Sequence, residues 1–417
     1  MDQGNTAFVL ISAALVLLMT PGLAFFYGGM VKAKSVVSMM MLSFGSLGLI
    51  GVLWVLYGYA IAFSNGGSDT FIGIDGWFGI DTSFIGLNAQ VADALDPQGA
   101  YPTLAFVAFQ ATFAIITVAL ISGAIADRAK FGAWMVFAGI WATIVYFPVA
   151  NWVFNFTLDK GKVVDGGWIV NNLGAIDFAG GTAVHINAGA AGLALAIVLG
   201  KRFGFSKGIT QPHNVPLTLL GTALLWFGWF GFNAGSEVAA DGLASLAFIN
   251  TMAAPAAAML GWILIEKIKH GKATSIGAAS GAVAGLVAIT PACASLTPMW
   301  AMLLGLIAGI LCALAIDLKF ALGFDDSLDV VGIHLVGGIT GTLFIGIFGT
   351  GVGAAFGFGW EQFGKQAIGA GAVLLYSFVL SLVIGFIIEK TIGFRVKAED
   401  EIAGIDTVVH GEEAYAF

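Results

Sequence analysis

Eleven stretches of roughly twenty residues, each nearly free of charge, recur along this chain. They run at about 7–30, 38–63, 102–125, 131–154, 178–200, 215–236, 243–266, 275–293, 298–317, 329–350 and 367–390. Inside a bilayer no water is at hand for peptide N–H and C=O groups, so a spanning segment must close its hydrogen bonds within itself. A helix of about 20 apolar residues does this across the ~30 Å hydrocarbon layer. The pattern therefore predicts an all-α integral membrane protein with eleven transmembrane helices. Only 10% of the residues are charged, against about 25% in a soluble domain. Gly occupies many interior positions of the apolar segments, which lets neighbouring backbones approach closely in lipid.

Three features narrow the reading. The N-terminus, MDQGNTAFVL, lacks the basic stretch of a signal peptide, so its first apolar segment is kept as a mature span. Cys293 and Cys312 both lie in apolar stretches, with no disulfide framework and no metal-ligand spacing, and read as small packing residues. The longest hydrophilic loops are 64–101 and 155–177. The first holds Asp69, Asp75, Asp81, Asp93 and Asp96 without any Lys or Arg.

Basic residues set the orientation. With eleven spans, Lys32, Lys34, Arg128, Lys130, Lys201, Arg202, Lys207, Lys267, Lys269, Lys272, Lys319, Lys390, Arg395 and Lys397 share one side. Lys160, Lys162 and Lys365 take the other. The expectation is a multi-pass plasma-membrane protein with its N-terminus outside and its C-terminus in the cytoplasm.

Two stretches, DFAGGTAVHINAG and DDSLDVVGIHLVGG, repeat one arrangement. Asp177 precedes His185 by eight residues, as Asp326 precedes His334. Gly189 and Gly192 follow the first histidine at +4 and +7, as Gly338 and Gly341 follow the second. These positions share a helix face with the histidine. The two stretches open spans five and ten, which run in opposite directions. That plan is five helices followed by five inverted ones, with the working site between the halves. Residues 1–200 are then the first repeat with its external loops and 201–352 the inverted second. Residues 353–390 hold an added eleventh helix and 391–417 a cytoplasmic tail.

Ionisable side chains within spans are costly and mark function. His213, His270 and His410 fall in cytoplasmic loops or the tail; only His185 and His334 lie inside spans. They are either two separate core histidines bonded to nearby carbonyls, or a pair facing each other across a pathway. In the second case each neutral ring offers one donor and one acceptor to a small polar solute or its proton. Two imidazoles without a third ligand, and without HExxH or CxxC, make a poor metal site. Phe109 and Phe113 share a face four residues apart, and WFGWFGFNAGS sets Trp226, Trp229, Phe230, Phe232 and Ser236 near the outer end of span six. Periodicity leaves two readings open, an aromatic interface belt and a weak cation site of ring faces beside a hydroxyl. Asp177 stands where a carboxylate caps a helix N-terminus, and its field also favours an approaching cation.

Taken together, DFAGGTAVHINAG, GWFGFNAGS, SGAVAGLVAITPAC, DDSLDVVGIH and the tail GIDTVVHGEEAYAF resemble the ammonium transporter family (Amt/Mep/Rh), in its bacterial Amt branch. The resemblance implies a homotrimer with a pore in each subunit, ammonium or ammonia as substrate and methylammonium as its analogue. It needs no cofactor and no nucleic acid. It implies that His185 and His334 are twin pore histidines and that Phe113 and Phe232 form a stacked gate. Phe109 and Ser236 match an outer recruitment site, Asp177 the carboxylate behind it, and Trp229 the tryptophan below the gate. Ser280 and Thr290 match a pore-wall helix. The tail matches a segment that couples subunits and helps dock a trimeric P-II signalling protein. Where many relatives place Trp over the outer site, this chain has Phe154, with Trp152 two residues earlier, which implies altered outer-site affinity. Rh-like neutral-gas channels and ammonium sensors are alternatives within the resemblance. An enzyme is not expected, because no nucleophile–base pair accompanies the histidines.

Overall fold

The computed structural model describes every residue except 65, 67, 96–98, 160–161, 206–210 and 416–417. Asp96, Lys160 and Lys207, used above in reading the charges, lie outside the described residues. The described chain is a bundle of apolar helices: α1 Gln3–Met30, α2 Val36–Ala62, α3 Thr103–Ile125, α4 Phe131–Phe154, α5 Gly181–Leu199, α6 Val215–Glu237, α7 Gly242–His270, α8 Ser275–Ile289, α9 Pro298–Leu322, α10 Val331–Phe348 and α11 Glu361–Thr391. Ten are long and apolar enough to cross a membrane. The exception is α8, whose 15 residues rise only about 22 Å at ~1.5 Å per residue. Its apolar run continues past Ile289, but the backbone turns there, so the expected eleven full-length spans become ten plus one short helix.

Two long loops are not plain coil. Antiparallel strands β1 (Phe71–Ile74) and β2 (Phe78–Asp81) form one hairpin, and β3 (Phe156–Asp159) and β4 (Lys162–Gly166) another. Trp77 of the first stacks on Trp168 beside the second, at 4.9 Å between centroids, and Trp152 Nε1 donates to Trp77 O. These hairpins define one face of the bundle, the hairpin face.

Basic loops gather at the opposite, tail face. Arg128 is fully buried, donating to Ser327 Oγ (2.5 Å) and to the carbonyls of Ala124 and Asp325. Arg202 pairs with Asp325 (2.9 Å) and Asp127 (3.2 Å). Burial disfavours charge on Asp325, but the bonds and charge of Arg202 outweigh it and hold the carboxyl below its ordinary range. The tail lies back across this face. Asp406 accepts from Val37 N (3.1 Å) and Ser38 N (2.8 Å) at the start of α2. His213 bonds Val31 O (2.8 Å) through Nδ1 and the Tyr415 hydroxyl (2.7 Å) through Nε2. His270, expected in a loop, is instead the exposed last residue of α7.

Inside the bundle α1 runs along α6, and α5 crosses α10. Both histidine helices open in a π turn, Gly181–Ile186 and Val331–Leu335; such widened turns recur at functional sites. The repeated glycines explain the crossing. A Cβ at Gly189 would stand 2.5 Å from Leu335 N, next to His334, and one at Gly338 would meet Gly181 O at 3.0 Å and His185 Cβ at 3.2 Å. Gly341 instead faces α8, where a Cβ would lie 1.9 Å from Ala288 O. A clash with a backbone oxygen has no rotamer to relieve it. Gly341→Ala should therefore destabilise the protein by about 1–3 kcal/mol or more. The check is the thermal midpoint of the detergent-purified protein, with Gly364→Ala, where a Cβ meets nothing within 4 Å, left unchanged.

Candidate substrate pathway

From the hairpin face inwards, aromatic rings close the space between α3, α4 and α6. Phe109 and Phe113 touch at 4.8 Å between centroids, and Phe113 stacks on Phe232 at 4.1 Å with 23° between planes. Phe154, at the end of α4, meets Phe113 edge to face at 5.9 Å. Ser236 Oγ, one turn beyond Phe232, donates to Phe232 O at 2.8 Å. Trp152 points elsewhere, into Trp77, Trp168 and Tyr376.

Beneath the stacked phenyls lie the histidines. His185 Nδ1 and His334 Nδ1 are 3.3 Å apart, the rings are 5.3 Å between centroids, and both side chains are buried. Two nitrogens at that distance need one hydrogen between them, so one ring carries Nδ1–H and the other a bare Nδ1. In the neutral pair, one Nε2 is then an acceptor and the other an N–H donor. His185 Nε2 has no hydrogen-bond partner among the described residues. The pair can thus offer a donor from one ring and an acceptor from the other, and two imidazolium rings cannot share this geometry.

Trp229 stacks beside His185 at 5.4 Å, its Nε1 donating to Thr290 Oγ1 at 2.9 Å. A cavity lies among these residues, lined by His185, His334, Trp229, Phe232 and apolar side chains including Leu23 and Val283. Its volume is about 10 Å³, counted as room for the centre of a water-sized molecule, which is near the lower limit for one water. Nothing in the sequence pattern marked Leu23 or Val283, which read as any other apolar helix residue. Of the two pore-wall candidates, Thr290 stands behind Trp229 and is fully buried, whereas Ser280 lines a separate cavity of about 160 Å³ at the tail face with Asp127, Arg202 and Lys319.

The aspartates shape the helix starts. Asp177 Oδ1 accepts from Gly180 N (2.8 Å) and Gly181 N (2.7 Å). Its Oδ2 accepts from Thr182 N (2.8 Å) and from the Thr182 hydroxyl. Asp326 does the same for α10, accepting from Val330 N (3.1 Å) and Val331 N (2.7 Å). Each carboxylate meets the orphan amides of a helix N-terminus. Among the described residues no group of three or more His, Cys, Asp or Glu could hold a metal ion.

Residues 7–415 match the Ammonium Transporter Family. This chain belongs to that family. It is 55% identical to an ammonium transporter of Mycobacterium tuberculosis over 435 residues, covering 100% of this chain and 91% of that protein. Among solved structures it resembles a sensor Amt protein, with a TM-score of 0.87 at 29% identity and 98% of each chain covered. It also resembles Mep2 of Saccharomyces cerevisiae, with a TM-score of 0.83 at 32% identity, covering 96% of this chain and 88% of that one. With its apolar helices, membership makes this a multi-pass membrane protein of a transporter family, not an enzyme family.

The Asp177 cap carries a stability prediction of its own. Asp177→Ala should lower unfolding stability by about 1–2 kcal/mol, the usual cost of removing a side-chain cap, and Asp177→Asn by less, because one oxygen still accepts. Thermal unfolding of the purified variants checks the order.

Proposed function

We propose that this protein takes up ammonium and passes it as ammonia through one narrow pathway in each subunit. The observation that carries the reading is the buried Nδ1–Nδ1 histidine contact in a cavity of water size beneath two stacked phenyls. In this reading the hairpin face is external, the tail face is cytoplasmic, and residues 1–200 and 201–352 are inverted halves with α11 added.

An ammonium ion collects where Phe109, Phe154 and Ser236 replace part of its water, favoured by the field of Asp177. Below, Phe113 and Phe232 close the way and Trp229 lines the wall, held from behind by Thr290 just past α8, with Ser280 of α8 further on towards the tail face. A bare cation in so apolar a passage has lost its hydration without replacement. Ammonium can hand its proton to the bare ring nitrogen of the histidine pair and cross as ammonia, while the proton follows along the pair and is released to water at the tail face, so that net charge moves. K⁺ has no proton to give. Selectivity is then a difference in desolvation. A deficit of about 3 kcal/mol, typical for a charge at the membrane centre, already excludes K⁺ roughly 100-fold.

The same reading extends to a homotrimer in the plasma membrane, methylammonium as an accepted analogue, and a P-II protein docking at the tail face. The likeness to the sensor Amt protein supports a second reading in which ammonium binding signals rather than feeds the cell. Turnover separates the two, since a sensor binds with little flux. An Rh-like neutral-gas channel would carry flux without current.

The test is current and uptake in liposomes holding the purified protein, with ammonium, methylammonium and K⁺. The wild type should pass the first two and exclude K⁺ at least about 100-fold, and either His185→Ala or His334→Ala should admit K⁺. If all three proteins behave alike, the reading in which the histidine pair carries the proton and excludes K⁺ is wrong.

A second expectation concerns the outer site. Phe154→Trp should lower the half-saturating ammonium concentration roughly two- to fivefold, because indole holds a cation better than phenyl. Concentration dependence of the same currents reads this out.

A further inference from the structure

The eleventh helix carries two glutamines one turn apart, Gln362 and Gln366, that reach the segment 174–177 leading into α5. Gln366 is completely buried. Its Oε1 accepts from Ile176 N at 2.7 Å and from Gln362 Nε2 at 2.9 Å. Its Nε2 donates to Ile176 O at 2.7 Å and to Thr342 O of α10 at 3.1 Å. Gln362 Nε2 also donates to Gly174 O at 3.1 Å. An amide in the middle of an apolar bundle is costly unless it is bonded, and this one is bonded four ways.

What those four bonds hold is specific. Ile176 directly precedes Asp177, the residue that caps α5. Bonding both its N–H and its C=O fixes the peptide planes on either side, and so the direction in which Asp177 leaves the chain. The helix that follows opens in a π turn, so its own ladder does not set the register of its first residues against the rest of the fold. Thr342 lies on α10, eight residues past His334. A single side chain outside the proposed halves therefore ties the lead-in of the His185 helix to the helix of His334. Close contacts of Gly189 with Leu335 and of Gly338 with Gly181 and His185 lock the two helices as far out as the first residue of α5. The lead-in before it, at Ile176, lies beyond those glycines and is held to α10 by the amide.

We propose that Gln366 is a positioning residue of the pathway: by clamping Ile176 to Thr342 it places Asp177 behind the outer site, and so sets affinity for ammonium rather than maximal flux. It touches no substrate and acts through Asp177. The inference rests on the ammonium-pathway reading above.

The experiment is ammonium-driven current in liposomes holding the full-length protein as wild type, Gln366→Leu, Gln366→Met or Ser381→Ala. Ser381 accepts from Trp141 Nε1 at 2.8 Å, so its variant removes an α11 bond that does not involve the lead-in. Both Gln366 variants should raise the half-saturating ammonium concentration roughly three- to tenfold, with maximal current within about twofold of wild type and K⁺ still excluded. Ser381→Ala should leave the half-saturating concentration unchanged. An unchanged half-saturating concentration in both Gln366 variants, or a fall in maximal current alone, overturns the proposal. So does failure of both variants to reach the membrane folded, since the amide would then be a general stability element. A wild type that carries no ammonium sinks the function reading itself, an outcome distinct from wild-type transport with silent variants.

Discussion

Two imidazoles that meet at Nδ1 can keep only one hydrogen between them, and the rest of this structure is organised around that constraint. At 3.3 Å the pair is neutral or singly charged, never doubly charged, and its two outer nitrogens differ in kind. In water such a contact would be loose and exchangeable. Here it is walled by Trp229, Phe232 and aliphatic side chains, where an unmet polar atom is expensive. The surrounding elements hold two rings in register across two crossing helices.

Three devices do this. Glycines let α5 and α10 approach until backbone meets backbone: Gly189 lies against Leu335, and Gly338 against Gly181 and His185. Carboxylates, Asp177 at one face and Asp326 at the other, collect the orphan amides of the two helix starts. The amide of Gln366 then bonds the irregular lead-in of α5 to α10. All answer one condition of the bilayer: backbone that leaves the helical ladder away from water must find protein partners.

Much of this architecture was legible as length and spacing. Apolar runs located the helices, and the Asp–His–Gly–Gly spacing singled out both histidines. Boundaries slipped where hydropathy and hydrogen bonding part company. The apolar run at 275–293 outlasts α8 because the backbone turns after Ile289. The apolar run at 367–390 begins late because α11 opens with Glu361, Gln362, Lys365 and Gln366: the first and third pair with each other, and the two glutamines reach the lead-in of α5. The hairpins at 71–81 and 156–166 are short, rich in Gly and Asp, and carry no clear alternation. Aromatics posed a different problem. Phe232 and Phe230 look alike in sequence, yet one stacks on Phe113 and the other on Phe248 of α7.

The order of residues alone determined a helical membrane protein of the ammonium transporter family, with two ionisable rings set inside its apolar spans. Hydrophobic length and costly buried charge are properties a chain carries before it folds. Which nitrogens touch, which phenyl stacks on Phe113, that Thr290 stands behind Trp229 while Ser280 opens on the tail face, and that a glutamine near the chain's end fastens a loop 190 residues earlier were decided by tertiary structure. Each depends on how helices distant in sequence cross and rotate against one another, and close packing around glycine selects that arrangement only once the whole bundle is assembled.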